Sequence, residues 1–245
     1  MSKRLDIALS QHDNVKSRTI SARLIKEGKV SVNKKIVKKP SFLVNESDLL
    51  EIVGELPKYV SRGGIKLEYA LDYFFLSVKG RICLDVGAST GGFTHCLLVN
   101  GAELVYSVDV GTMQLSEEIR NDERVVSLEN LDIRKADKII PCGMDFACVD
   151  VSFISLTHIL VALKKYLKPN ADIVALVKPQ FEVGRECIGK NGIVKSEKAR
   201  LMAVNKIISF SELNGYKIIG KTTSPITGGD GNVEYLLHLC VKQEE

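Results

Sequence analysis

The 245-residue chain contains no tryptophan, and aromatic residues make up only 6% of it. It lacks the signatures of a metal or disulfide framework. Cys83, Cys96, Cys142, Cys148, Cys187 and Cys240 form no CxxC pair, and no histidine stands beside them at ligand spacing. Reduced, mostly buried thiols are therefore expected, with no metal site. A secretory core is missing too: Met1-Ser2-Lys3-Arg4 runs into Asp6, Gln11, His12 and Asp13, which are polar where a signal peptide is apolar. The most apolar stretch, Phe146 to Leu163, contains Asp150 and His158. A carboxylate at mid-bilayer costs roughly 2.5–3.5 kcal/mol, so this stretch reads as a core strand followed by a helix. With 45% hydrophobic and 26% charged residues, the composition excludes disordered, collagen-like and coiled-coil chains. A folded cytoplasmic protein remains.

Charge, by contrast, is present and uneven. Residues 1–60 hold 12 Lys+Arg against 7 Asp+Glu, whereas residues 61–245 hold 22 against 23. A net of +5 on a small module and −1 on a larger body is the pattern of a polyanion-docking unit joined to a near-neutral domain. Within the module, Leu5, Ile7, Ala8 and Leu9 predict a short helix. Ser17 is a good N-cap for a second helix, with Ile20 and Leu24 on its inner face and Gly28 as its stop. Val30-Ser31-Val32 is strand-like, Asn33-Lys34 a turn, and Leu49 to Val53 a closing strand. Lysines and arginines along the second helix and the turn suit backbone phosphates without base readout. Phe42 and Tyr59 are the module's only aromatics, which disfavours stacking on single-stranded bases and favours structured RNA read by shape. RLDIAL, SRTISARLIKEGKVSVN and VKKPSFLV resemble the RNA-binding domain of the small-subunit ribosomal protein S-four over about residues 3–53.

The body alternates strands and helices. Arg81 to Asp85 is a short buried strand that enters Val86-Gly87-Ala88-Ser89-Thr90-Gly91-Gly92-Phe93-Thr94, and a helix follows to about Asn100. This is the first unit of a doubly wound sheet. The next strand, Leu104 to Val108, ends in Asp109, where a carboxylate suits a ribose diol. The loop is not G-x-G-x-x-G, so a dinucleotide pyrophosphate is disfavoured. Asp85 suits an ammonium group, directly or through water, so S-adenosylmethionine fits better than a nicotinamide dinucleotide. In the plainer alternative, Asp85 only caps the turn. Further strands are predicted at Val125–Leu128, Phe146–Asp150, Ile173–Lys178, Lys217–Ile226 and Glu234–Val241, with helices at Ser155–Leu167 and Lys195–Asn214. After Val125–Leu128 comes Glu129-Asn130-Leu131-Asp132, where a polar side chain is placed to meet an adenine. The order predicts a parallel sheet with an antiparallel end.

Four polar residues stand where elements deliver side chains to one edge. Asp150 and Lys178 end strands, Glu234 opens the last strand, and Lys66 sits on a helix ahead of the first. Each alone reads as a surface or salt-bridge residue; together they read as a site. The motifs SRGGIKLEYAL, LDVGASTGGFT, VDVG, VDVSFISL, VKPQFEVG and GNVEYL resemble the TlyA (hemolysin A) family. That family is similar to FtsJ-type ribose methyltransferases and carries the S-four-like domain in front.

The resemblance implies a Rossmann-like class I methyltransferase sheet with a small N-terminal α+β domain. The implied domains are 1–56 for RNA binding, 57–60 as linker and 61–245 for methyl transfer. It further implies 2′-O-methylation of cytidine in ribosomal RNA with S-adenosylmethionine, with Lys66, Asp150, Lys178 and Glu234 as the catalytic tetrad. Cofactor contacts are expected from Asp85, Gly87, Ser89, Thr90, Gly91, Gly92, Phe93, Asp109, Val110 and Asp132. RNA contacts are expected from Arg4, Lys16, Ser17, Arg18, Arg23, Lys29, Lys34 and Arg62. A ribose hydroxyl needs help losing its proton. Lys178, crowded by Lys66 and partly desolvated, is the expected acceptor, with Asp150 and Glu234 orienting the lysines. The alternative role for Lys178 is to stabilise the developing alkoxide. Residues 57–60, Pro-Lys-Tyr-Val, depart from a Trp-containing linker that influences cofactor binding in the family. Short chains in the family imply large-subunit RNA. The expected partners are ribosomal RNA or subunits, with no membrane or DNA, for a monomer or weak dimer. The rival classes are a membrane-active haemolysin, for which there is no spanning or strongly amphipathic cationic helix, and a non-catalytic RNA-binding factor.

Overall fold

A computed structural model of the chain describes residues 2–12, 15 and 18–243. Its contacts divide into two compact units, Met1–Lys58 and Tyr59–Glu245.

In the first unit, β1 (Lys3–Arg4) leads into α1 (Leu5–Leu9), followed by α2 (Arg18–Lys26), β2 (Val30–Val32), β3 (Lys35–Ile36), β4 (Leu43–Val44) and β5 (Leu50–Ile52). β3, β2 and β5 form an antiparallel sheet, and β1 pairs separately with β4. Gly28 ends α2 at φ +73°, and Asn33 and Lys34 turn β2 into β3 at φ +50° and +67°. Both turn residues at positive φ is the hairpin geometry that matches strand twist. Leu5, Leu9, Leu24, Ile25, Val30, Val32 and Val44 make the core. The β1–β4 ladder is absent from the sequence reading, since two-residue strands leave no periodicity to detect. The expected Ser17 cap lies outside the described residues.

The second unit runs α3 (Gly63–Tyr73), β6 (Ile82–Val86), α4 (Gly92–Val99), β7 (Leu104–Val108), α5 (Glu117–Arg120), β8 (Val125–Leu128), β9 (Met144–Val149), α6 (Leu156–Leu163), β10 (Leu167–Val177), α7 (Glu197–Leu213), β11 (Tyr216–Thr223) and β12 (Tyr235–Val241). Its seven-stranded sheet has the order β11-β12-β10-β9-β6-β7-β8. β6–β10 are parallel, and β12 is antiparallel to both neighbours. The doubly wound sheet with an antiparallel end is therefore as expected.

Both sheet faces are covered, so the strands read as continuous apolar runs. Alternate residues serve opposite layers. Leu84, Val86, Ala147, Val149 and Val177 join Leu160 of α6 and Ile207 of α7. Cys83, Cys148, Val174 and Leu176 join Leu67 of α3 and Leu97 of α4. Tyr59 also belongs to this second layer. Burial pushes the Cys83 thiol up to about 12. Two boundaries differ most from expectation. α6 stops at Leu163, where the last turn tightens, and β10 begins at Leu167, six residues early. The polar run Lys168–Ala171 is carried by a register irregularity between Leu167 and Asp172, which leaves no alternation to read.

Candidate active site

Because β6, β7, β9 and β10 are parallel, their last residues deliver Gly87, Asp109, Asp150 and Lys178 to the same edge. Two adjoining clefts open there and share Gly87, Ser89, Asp150 and Ser152. Gly87 sits at φ +86°, and a Cβ on it would strike the Asp150 carbonyl oxygen. Only glycine lets the loop lie this close to the end of β9.

The first cleft, of about 300 Å³, has apolar walls from Val110, Leu131, Ile133, Ile154 and Ile159. Asp109 lies on its rim and ties two loops together. Its Oδ2 accepts from the Ser89 N–H and its Oδ1 from the Gly111 N–H, both at 2.7 Å. Asp132 also lines this cleft. Arg134, at 2.6 Å, pairs with its carboxylate and holds it below the usual range. Glu129, in the segment expected to meet an adenine, accepts from the N–H groups of Met113, Gln114 and Leu115 at 3.0, 2.6 and 2.9 Å. It thereby shapes the turn after Val110.

The second cleft, of about 290 Å³, is polar and contains Ser61, Arg62, Lys66, Thr90, Gly92, Phe93, Ser152 and Lys178. Three of the four expected catalytic residues, Lys66, Asp150 and Lys178, line it, and Glu234 joins them by pairing with Lys66. Lys66 Nζ lies 2.6 Å from Glu234 Oε2, with side chains only 9% and 3% exposed. Lys178 Nζ lies 2.6 Å from Asp150 Oδ1 and donates to Ser152 Oγ at 2.8 Å. Ser152 is a further functional candidate; nothing in its local sequence marks it apart from its closeness to Asp150. Phe153, 91% exposed and at φ +64°, packs on Phe181 with centroids 5.1 Å apart at the lip of the first cleft.

Asp85 is placed differently from expectation. It lines neither cleft. On β6 it shares parity with Cys83, so it faces α4, where Thr94 Oγ1 donates to it at 2.6 Å. It is 0% exposed, and desolvation pushes it up to about 7, with the nearby Asp150 charge adding to the rise. Gly91, in the same loop, lines neither cleft but starts α4 from φ +91°.

Of the expected RNA-binding set, Arg4 and Arg18 converge on Asp6. Arg4 makes two bonds to it at 3.0 and 2.9 Å, and Arg18 one at 3.1 Å. Lys29 reaches the Glu55 carbonyl at 3.0 Å, Arg23 lies half-buried on α2, and Lys34 is exposed at the hairpin turn. Arg62 belongs to the second unit, where it lines the polar cleft. Lys16 and Ser17 lie outside the described residues.

A parallel sheet with one antiparallel strand, a glycine loop after its first strand and paired lysines and carboxylates at the strand ends defines an α/β methyltransferase body. Comparison with known proteins agrees. Residues 59–240 match the FtsJ-like methyltransferase family, and residues 3–50 match the S4 domain. Hemolysin A of Brachyspira hyodysenteriae is 41% identical over 97% of this chain and 100% of its own. The 16S/23S rRNA (cytidine-2′-O)-methyltransferase TlyA of Mycobacterium tuberculosis is 42% identical over 96% of this chain and 89% of its own. A solved structure named as a hemolysin, from Streptococcus thermophilus, is 42% identical, covers 99% of this chain and 90% of that one, and superposes with a TM-score of 0.77. The chain belongs to the FtsJ-like methyltransferase family, in its TlyA (hemolysin A) group.

Proposed function

We propose that the protein transfers a methyl group from S-adenosylmethionine to the 2′-hydroxyl of a cytidine in ribosomal RNA. The observation that carries this is the junction of the two clefts. An apolar cleft with a carboxylate on its rim meets a polar cleft lined by Lys66 and Lys178, each paired with a carboxylate, and Asp150 lines both clefts.

The residues present fit the cofactor. Val110, Leu131 and Ile133 would flank its adenine, Asp109 would meet its ribose diol, and the Gly87–Ser89 turn leaves room for its amino-acid end. When bound, it supplies an electrophilic methyl on a sulfonium. The chain's task is then to align the ribose oxygen and manage its proton. Lys178, held by Asp150 and Ser152, is the group for that proton, either taking it or stabilising the oxygen that loses it. Lys66, held by Glu234, adds a second positive charge to the same cleft. Arg62 is placed to contact RNA on the body, and the exposed Phe153 ring offers a surface for an unstacked base.

In this reading, residues 1–56 dock on RNA and 57–60 link them to the catalytic body. Arg4, Arg18, Arg23, Lys29 and Lys34 contact phosphates. The protein acts in the cytoplasm as a monomer or weak dimer, with neither DNA nor membrane as partner. Among the described residues, no helix is long and apolar enough to cross a membrane. The decisive experiment is transfer of labelled methyl to purified ribosomal subunits, with the modified nucleotide mapped. Labelled 2′-O-methylcytidine is the expected product, and its position tells large-subunit from small-subunit RNA. No transfer, together with no S-adenosylmethionine binding in calorimetry, would leave a non-catalytic RNA-binding factor. Liposome leakage by the pure protein would revive the membrane reading.

A further inference from the structure

β9 and β10 remain in ladder register only as far as Val149 and Ala175. Beyond that point no strand pairing holds the loop of Asp150 and Ser152 against the turn of Lys178, although these three side chains meet at 2.6–2.8 Å. A staple lies four residues past Lys178. Glu182 is 7% exposed. Its Oε2 accepts from Ser155 Oγ at 2.6 Å and its Oε1 from the Leu156 N–H at 2.8 Å. Lys206 of α7 pairs with Oε2 at 3.2 Å. Ser155 and Leu156 begin α6 and end the loop that carries Asp150 and Ser152. The turn between Lys178 and Glu182 is itself stiff: the N–H groups of Phe181, Glu182 and Val183 bond back to Lys178 and Pro179 at 2.9–3.0 Å. A displacement of Glu182 is therefore passed on to Lys178. The opposing loop includes Phe153 at φ +64°. A bulky residue in this region is strained and persists only where its surroundings over-determine it.

We propose that Glu182 is a positioning residue for methyl transfer. Its carboxylate staples the Lys178 turn to the start of α6 and so sets Lys178 against Asp150 and Ser152. Glu182 lines neither cleft, so it acts through Lys178 and not on a ligand. The inference rests on the function proposed above, because the geometry it protects is that of the transfer site.

The test compares full-length variants in methyl transfer, ligand binding and NMR. In Glu182→Ala, kcat falls between about tenfold and a hundredfold, the loss that an ångström-scale misplacement produces. Binding of S-adenosylmethionine and RNA stays within about threefold, since uniform binding is untouched. Glu182→Gln, whose amide oxygen can still accept the Leu156 N–H, recovers most of kcat. Combined with Ser152→Ala, Glu182→Ala costs little more than the worse single change, because both act through Lys178. In protein labelled with 15N-lysine, the Lys178 ammonium signal, identified by its loss in Lys178→Ala, shifts or broadens in Glu182→Ala. If Glu182→Ala does not fold, Ser155→Ala carries the same test with a smaller expected loss. An unchanged kcat, additive losses with Ser152→Ala, or an unchanged Lys178 signal would each overturn the assignment. Absence of transfer in the wild type would overturn the proposed function instead, and the NMR comparison would still judge the staple.

Discussion

Two aspartates, one in each unit, have little exposure to solvent, Asp6 just beneath the surface and Asp85 deep in the sheet, and their pKa values are shifted in opposite directions. Asp6 is 3% exposed and Asp85 0%. The Arg4 and Arg18 guanidiniums hold Asp6 down to about 2, Arg4 contributing most. Asp85 has no such cation; desolvation outweighs the hydrogen bonds from Thr94 and Cys148 and lifts it to about 7. Burial raises the cost of a charge; the partner decides whether that cost is offset. In the first unit a hidden carboxylate organises cations that remain exposed to solvent and available to phosphates. The body turns its charges inward, around the two clefts.

The sharpest way to break this division is at Lys178. Lys178→Ala should remove the proton-handling group and lower transfer by roughly 10²–10⁴-fold, while calorimetry finds S-adenosylmethionine binding within a few-fold. Wild-type turnover in that variant would end the catalytic assignment of the body's charges.

Next in size is the Lys66–Glu234 pair. Glu234→Ala leaves Lys66 buried without its partner and should cost about 3–5 kcal/mol in chemical denaturation. The double change Lys66→Met with Glu234→Leu should cost much less, because neither charge remains. Equal losses in the two proteins would mean that packing, not charge, dominates there.

A smaller effect is expected at Asp6. Asp6→Asn adds one net positive charge, so charge alone predicts tighter RNA binding. If Asp6 aligns Arg4 and Arg18, affinity for the RNA substrate should instead fall several-fold while non-specific binding rises. Arg4→Ala with Arg18→Ala should flatten the salt slope by about 0.7–0.9 per lost phosphate contact. Salt titrations by fluorescence anisotropy measure both, and S-adenosylmethionine binding should stay nearly independent of salt.

The two aspartates also predict pH limbs of opposite sign. Asp6, lowered in the folded state, stabilises the protein above its ordinary value of 3.8, and that contribution is lost as pH falls toward 2. Asp85, raised in the folded state, contributes fully below 3.8. Its contribution declines as pH climbs from there through 7. Asp85→Asn should therefore flatten the fall in Tm between about pH 4 and 7 relative to wild type. A thermal scan showing identical slopes in this window would place Asp85 in a more polar setting than its burial implies.

Much of this was legible beforehand, for identifiable reasons. β7 and β8 have the expected bounds, because a short β-branched run closed by polar residues permits few alternatives. Asp150, Lys178 and Glu234 of the proposed tetrad stood out because charged groups at the ends of apolar strands have no place in a core. Asp85 shares that description, yet it lines neither cleft. Only its parity on β6 and its bond to Thr94 show that it faces α4. Asp132 was found as a lining residue, but its capture by Arg134 was not. Ser152, Glu129 and Glu182 carry no local pattern, since each acts through partners on another loop.

By itself, the sequence determined the two-part organisation, the basic first module, the doubly wound order of the body and the residue types of the proposed transfer site. These depend on composition, short-range periodicity and turn chemistry, all of which are local. Tertiary structure alone decided that Lys66 pairs with Glu234, 168 residues away, that Lys178 rests between Asp150 and Ser152, and that Glu182 ties their loops together. Such pairings depend on strand register and loop closure, and these are settled only when the whole sheet is assembled.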